Sequence, residues 1–264
     1  MLTQRIWSGF LAGLIVLLAI VFGDVWVWKA VVFVATVICV GEFAVMLGAT
    51  WKSALALWVY LVIIAVEWWP YWHLPIALET MVAITLLFPV AWRNRVTVSQ
   101  AGTTFVGALY IGYGGLSLDL LRALPHGQMW LWLVLIAVWT TDTAAYFGGR
   151  LFKGNKLWPD ISPKKTVSGA ITGFVAAALS SVIVGIISVP RPHVLSLALL
   201  GAVISVISQL GDLVESAYKR SAGVKDSGRL LPGHGGMLDR VDGLLFAAPF
   251  ALFFITVAHA RWFF

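Results

Sequence analysis

The chain has 264 residues, of which 60% are hydrophobic and only 11% charged, whereas a soluble domain carries roughly 25% charged residues. That balance excludes a water-soluble globular enzyme and points to an integral membrane protein with polar loops and no large soluble domain. The formal charge of +6 is scattered between apolar runs, which suits membrane lipids and phosphate-bearing substrates and argues against nucleic acid as a partner, while the single cysteine, Cys39, excludes an intramolecular disulfide.

Apolar segments of crossing length, about 20 residues each, are expected near 6–23, 26–48, 53–69, 74–92, 101–121, 129–148, 167–189, 194–215 and 241–260. The expected fold class is all-α, a polytopic membrane protein of about nine transmembrane helices around a polar, cytoplasm-facing active-site cleft. Residues 1–100 form its N-terminal helices and residues 101–264 its catalytic region, in one continuous membrane domain. The first segment follows Arg5 without a small-x-small cleavage site and is read as a retained helix. The third is short enough to be re-entrant. The fifth, "AGTTFVGALYIGYGGLSLDLL", is glycine-rich, as membrane helices are where they pack closely, and is expected to wall part of the cleft.

With the N-terminus in the cytosol, 14 of the 18 lysines and arginines fall on the cytoplasmic side, all but Lys29, Arg122, Arg191 and Arg261. The expectation is a multi-pass protein of the cell (inner or plasma) membrane whose two most polar loops, 149–166 and 216–240, face the cytosol. Tryptophans near span ends, Trp68, Trp69, Trp72, Trp130, Trp158 and Trp262, read as interfacial anchors.

The first polar cluster is "TDTAAYFGGRLFKGNKLWPDISPKKTVSGAITG", with Asp142 near the end of the sixth span and Lys164 and Lys165 just ahead of the seventh. Two lysines at a helix N-terminus oppose its dipole, and a bound anion offsets that, so they read as phosphate ligands, with a topology signal as the plainer alternative. The eighth span ends in "GDLVESAYKRSAG". There Asp212, Ser216 and Lys219 share a face, Glu215 stacks on Lys219, and Asp212 is either a functional group or a carboxylate that reaches the interface or pairs with Lys219.

The run "KDSGRLLPGHGGMLDRVDG" follows. Its glycines allow close approach to an anion, and His234 can donate to a phosphate or cap a turn. Asp239 and Asp242 either cap the last helix or, for Asp239 together with Asp212, hold Mg²⁺, which needs one or two carboxylates with phosphate and water completing its shell. Zinc lacks its cysteine and histidine ligands. Carboxylates, cations and glycines on one face point to phosphoryl or nucleotidyl transfer, without a GxxxxGK[ST] loop. The competing non-enzymatic reading is a transporter of a cation or phosphate-bearing solute, since Glu42 and Glu79 lie within spans.

The stretch 216–242, "SAYKRSAGVKDSGRLLPGHGGMLDRVD", resembles the signature of the phosphatidate cytidylyltransferases, or CDP-diacylglycerol synthases, in register at Ser216, Lys219, Arg220, Lys225, Asp226, Pro232, His234, Gly235, Gly236, Asp239, Arg240 and Asp242. "GDLVES" at 211–216 and "DTAAYFGGRLF…ISPKKT" at 142–166 extend the resemblance, while Ser168 stands where many relatives carry Glu or Gln. CDP-alcohol phosphotransferases fit poorly, because "DGLLFAA" lacks their Ala-Arg.

The resemblance implies transfer of CMP from CTP to phosphatidate on the cytoplasmic side, giving CDP-diacylglycerol and pyrophosphate for phospholipid biosynthesis, with Mg²⁺ as cofactor. It implies metal ligands at Asp212 and Asp239, with Asp142 and Asp242 as further candidates. Catalytic roles fall to Asp212, Asp239, Lys219 and Arg240, and substrate or phosphate binding to Lys164, Lys165, Ser216, Arg220, Lys225, His234, Gly235 and Gly236. A homodimer is an assembly this reading leaves open.

Overall fold

The computed structural model describes residues 13–68, 74–228, 235–257 and 263. Among them, nine helices stand where the nine apolar segments are expected: α1 (13–21), α2 (Val25–Met46), α3 (Ala54–Trp68), α4 (Leu74–Ala91), α5 (Val98–Ala123), α6 (Gly127–Phe152), α7 (Val167–Ser188), α8 (Val194–Ser221) and α9 (Leu238–Val257). Six of these, α2 and α5 to α9, are long and apolar enough to cross a membrane, while α3 and α4 are apolar but shorter. The polytopic helical expectation therefore holds for six spans.

The helix starts follow local chemistry. The Asp24 carboxylate accepts from the Val27 amide at 2.8 Å, the Thr97 hydroxyl from Gln100 at 3.0 Å, and the Thr166 hydroxyl from Gly169 at 3.1 Å, each satisfying a first-turn donor of its helix.

The all-α expectation needs one amendment. Between α6 and α7 the chain forms an antiparallel hairpin, β1 (Lys156–Trp158) and β2 (Ser162–Thr166), with an irregularity between its Lys156–Thr166 and Trp158–Ser162 pairs. Pro159 and Pro163 bar a regular helix here, and the hairpin lets the exposed backbone of a short crossover pair with itself.

At the centre lies α5, which packs on α2, α3 and α9. A Cβ at Gly114 would sit 2.6 Å from the Leu245 carbonyl, and one at Gly115 would sit 2.6 Å from the Glu67 carboxylate, so these glycines are needed for close helix contact. The outward face of α7 stays exposed and apolar at Ile171, Phe174, Leu179, Ile183 and Ile187, as lipid contact requires. Trp130 departs from its expected anchoring role: it is 2% exposed, donates to the Pro125 carbonyl at 3.0 Å and stacks edge-on against Phe263. Trp69, Trp72 and Trp262 lie outside the described residues.

Candidate active site

The α6 helix ends at Phe152, and Lys153 and Gly154 turn the chain with φ of 54° and 100°. The base of the hairpin is then tied: the Val167 amide donates to the Asn155 carbonyl at 3.0 Å, and the Ser168 hydroxyl donates to the Lys153 carbonyl. Ser168, the departure from the family pattern, thus has a structural task. Beneath the hairpin, between α6, α7 and α8, lies a cavity of about 740 Å³.

Four residues singled out from the sequence line it together: Asp142 from α6, Lys164 and Lys165 from β2, and Asp212 from α8. The Lys165 ammonium stands 2.6 Å from the Asp212 carboxylate, and the Ser216 hydroxyl donates to the same group at 3.3 Å. The ion-pair partner of Asp212 is therefore Lys165 and not Lys219. Asp142, Asp212 and Asp242 lie close enough to interact electrostatically. Carboxyl groups gathered beside cations without ion-pair partners are an arrangement that suits a metal–phosphate ligand.

Sequence reasoning missed Arg150, Lys153 and Lys156, which line the cavity with Lys164. Among the described residues none of these four stands in an ion pair. Their signal was in the chain, since Arg150 and Lys153 flank the end of the sixth span and Lys156 precedes the proline-containing turn. No residue of glycine-rich α5 lines this cavity, contrary to expectation; its Gly107, Gly112, Gly114 and Gly115 face residues of neighbouring helices instead.

A second polar cluster surrounds the signature. Lys219 pairs with Glu215 one turn earlier on α8, as the spacing predicts, and with Asp239 on α9 at 2.7 Å. The other oxygen of Asp239 accepts from the Ser227 amide at 2.9 Å, the Ser227 hydroxyl at 3.0 Å and the Gly236 amide at 2.8 Å. Asp239 thereby closes the signature loop on itself and joins it to α8.

The loop glycines answer first to these carboxylates. Gly235 has φ of 84°, in the left-handed region, and a Cβ there would lie 2.7 Å from Asp239. A Cβ at Gly236 would collide with the Ser227 hydroxyl and the Glu42 carboxylate. Arg220 is exposed and donates to the Val224 carbonyl at 3.2 Å, while Lys225 and Arg240 are exposed at the loop's two ends. The Asp242 carbonyl accepts from the Tyr110 hydroxyl at 2.7 Å. His234 lies outside the described residues.

A family model described as the cytidylyltransferase family matches residues 3–258. The chain is 40% identical over 178 residues to the phosphatidate cytidylyltransferase of Bacillus subtilis (strain 168), covering 67% of this chain and 66% of that protein. It is 46% identical over 170 residues to the protein of the same name from Brucella suis biovar 1 (strain 1330), covering 62% and 63%. Against that of Staphylococcus haemolyticus (strain JCSC1435) it is 38% identical over 181 residues, covering 67% and 69%. The matched stretch thus spans just under two thirds of the Bacillus and Brucella proteins.

Proposed function

The chain belongs to the cytidylyltransferase family, and on that premise we propose that it transfers CMP from CTP to phosphatidate, giving CDP-diacylglycerol and pyrophosphate. The observation that carries this reading is the cavity at the end of three apolar helices, where Asp142 and Asp212 stand among Arg150, Lys153, Lys156 and Lys164. A lipid phosphate and a nucleotide triphosphate are both polyanions, and bringing them together requires such cations. The proposed orientation places this end of the bundle in the cytosol, where CTP is found, with nine crossings in the cell membrane.

In the proposed reaction a phosphate oxygen of phosphatidate attacks the α-phosphorus of CTP. The bond from that phosphorus to the bridging oxygen breaks, and pyrophosphate leaves with the electron pair. The nucleophile is already ionised near neutral pH, so the chain needs no strong general base. Lys164 and the three cations at the end of α6 would hold phosphate oxygens, Lys165 and Ser216 restrain the Asp212 carboxylate, and Lys219 holds the signature loop to α8 through Asp239.

The donor set fits Mg²⁺. Asp142 and Asp212 are hard oxygen donors in one cavity, and the ion takes one or two carboxylates when phosphates and water complete its shell. Among the described residues no group of three or more His, Cys, Asp or Glu is arranged to hold a metal. Asp239, the other carboxylate of the proposed ligand pair, is outside the cavity lining and is engaged by Lys219. When bound, Mg²⁺ would neutralise charge on the triphosphate and the leaving pyrophosphate.

Purified protein incubated with phosphatidate, labelled CTP and MgCl₂ should form a labelled CDP-lipid and pyrophosphate in equal amounts. Label that stays in CTP, in a preparation that is folded, would overturn the assignment.

A further inference from the structure

Glu42 lies near the C-terminal end of α2 on its buried side, 1% exposed and far in sequence from the signature loop. One of its carboxylate oxygens nevertheless accepts from the Leu238 amide at 3.0 Å and from the Ser227 hydroxyl at 3.3 Å. Leu238 is the first residue of α9, so Glu42 satisfies from another helix a donor that α9 cannot satisfy itself. Ser227 stands at the other end of the loop, which is therefore held at both ends by one side chain.

The fit is close. A Cβ at Gly228 or Gly236 would run into the Glu42 carboxylate, so two glycines of the loop are shaped to receive it. No lysine or arginine forms an ion pair with Glu42 among the described residues. A buried acidic side chain, with one oxygen bonded to the loop and the other without a hydrogen-bond partner among the described residues, is poorly explained as general packing, because an apolar residue of similar size would fill the space without desolvating polar atoms. Nor does the transport reading suit it, since its bonds are to the loop and not to a pathway.

We propose that Glu42 is a positioning residue for the nucleotidyl transfer: it anchors Ser227 and Leu238, on either side of the signature glycines, so that Asp239 is presented to Lys219 near the end of α8. This rests on the function proposed above. The Ser227 hydroxyl stands between the two carboxylates and shares its one proton between them, 3.0 Å from Asp239 and 3.3 Å from Glu42. Through that serine the position of α2 governs the residues that begin α9.

The test compares Glu42→Ala, Glu42→Gln and wild type well below their unfolding temperatures. Glutamine keeps an acceptor oxygen at the same reach, and alanine removes it. The alanine variant is expected to lose at least tenfold in kcat for CDP-lipid formation, and the glutamine variant to recover to within about threefold of wild type. Amide hydrogen exchange is read in parallel: the peptide spanning 227–238 should exchange faster in Glu42→Ala, with α6 and α7 unchanged. An alanine variant with wild-type kcat overturns the proposal, as does a glutamine variant as slow as alanine. If alanine prevents folding, Glu42→Gln and Glu42→Asp carry the comparison, the shorter acid being expected to fall below the amide. The exchange arm stands without activity, so wild-type protein that protects Leu238 yet makes no CDP-lipid would refute the proposed function and leave the anchoring intact.

Discussion

Replacing Lys219 by methionine removes the ammonium and keeps the length of the side chain. In the structure this cation bridges two carboxylates of unequal resources: Asp239 keeps three other donors, the Ser227 amide and hydroxyl and the Gly236 amide, whereas Glu215 is 1% exposed and has Lys219 as its ion partner. Removing one partner of a buried pair typically destabilises by about 3–5 kcal/mol, because it leaves an uncompensated charge. Most of that should fall on Glu215. For a chain of this size each kcal/mol shifts the unfolding midpoint by roughly 2–4 °C, so Lys219→Met should unfold about 10 °C below wild type in detergent. Adding Glu215→Gln removes the stranded charge and should recover most of the loss. Thermal unfolding of wild type, Lys219→Met, Glu215→Gln and the double variant measures this directly, and a double variant no more stable than Lys219→Met would refute the assignment of the loss to Glu215. Transferase activity should stay low in both, since Asp239 has still lost its tie to α8.

Asp212→Asn should lower CDP-lipid formation by about a hundredfold or more, in the range seen when one electrostatic contact to a reacting group is removed, with little change in unfolding midpoint because the Lys165–Asp212 pair is partly exposed and such pairs contribute about 0–1 kcal/mol. A midpoint shift as large as that of Lys219→Met would contradict this reading. Gly235→Ala should destabilise by about 1–2 kcal/mol from its left-handed backbone and speed amide exchange at Ser227, measured by mass spectrometry, because its Cβ would crowd Asp239. Thr166→Val removes the cap of α7 and should weaken the protein by about 1 kcal/mol in denaturant unfolding.

The linear chain was enough to locate the helices, because a segment that crosses or lines a bilayer must carry its own apolar run and its own backbone hydrogen bonds. It also carried the 216–242 signature and the Glu215–Lys219 pair, which follows from helical spacing alone. The hairpin was legible only as a loop, since strand pairing depends on how α6 and α7 bring its ends together. Carboxylates expected together stood apart: Asp212 joined Asp142, Lys164 and Lys165 at the cavity, while Asp239 turned to Lys219 and its own loop. Glu42 shows why most plainly. As a letter within an apolar segment it could serve transport, packing or catalysis, and only the fold of α2 against the start of α9 decided which donors it met. Hydrogen bonds act over about 3 Å, so the partners of a buried polar group follow from tertiary position and not from neighbours along the chain.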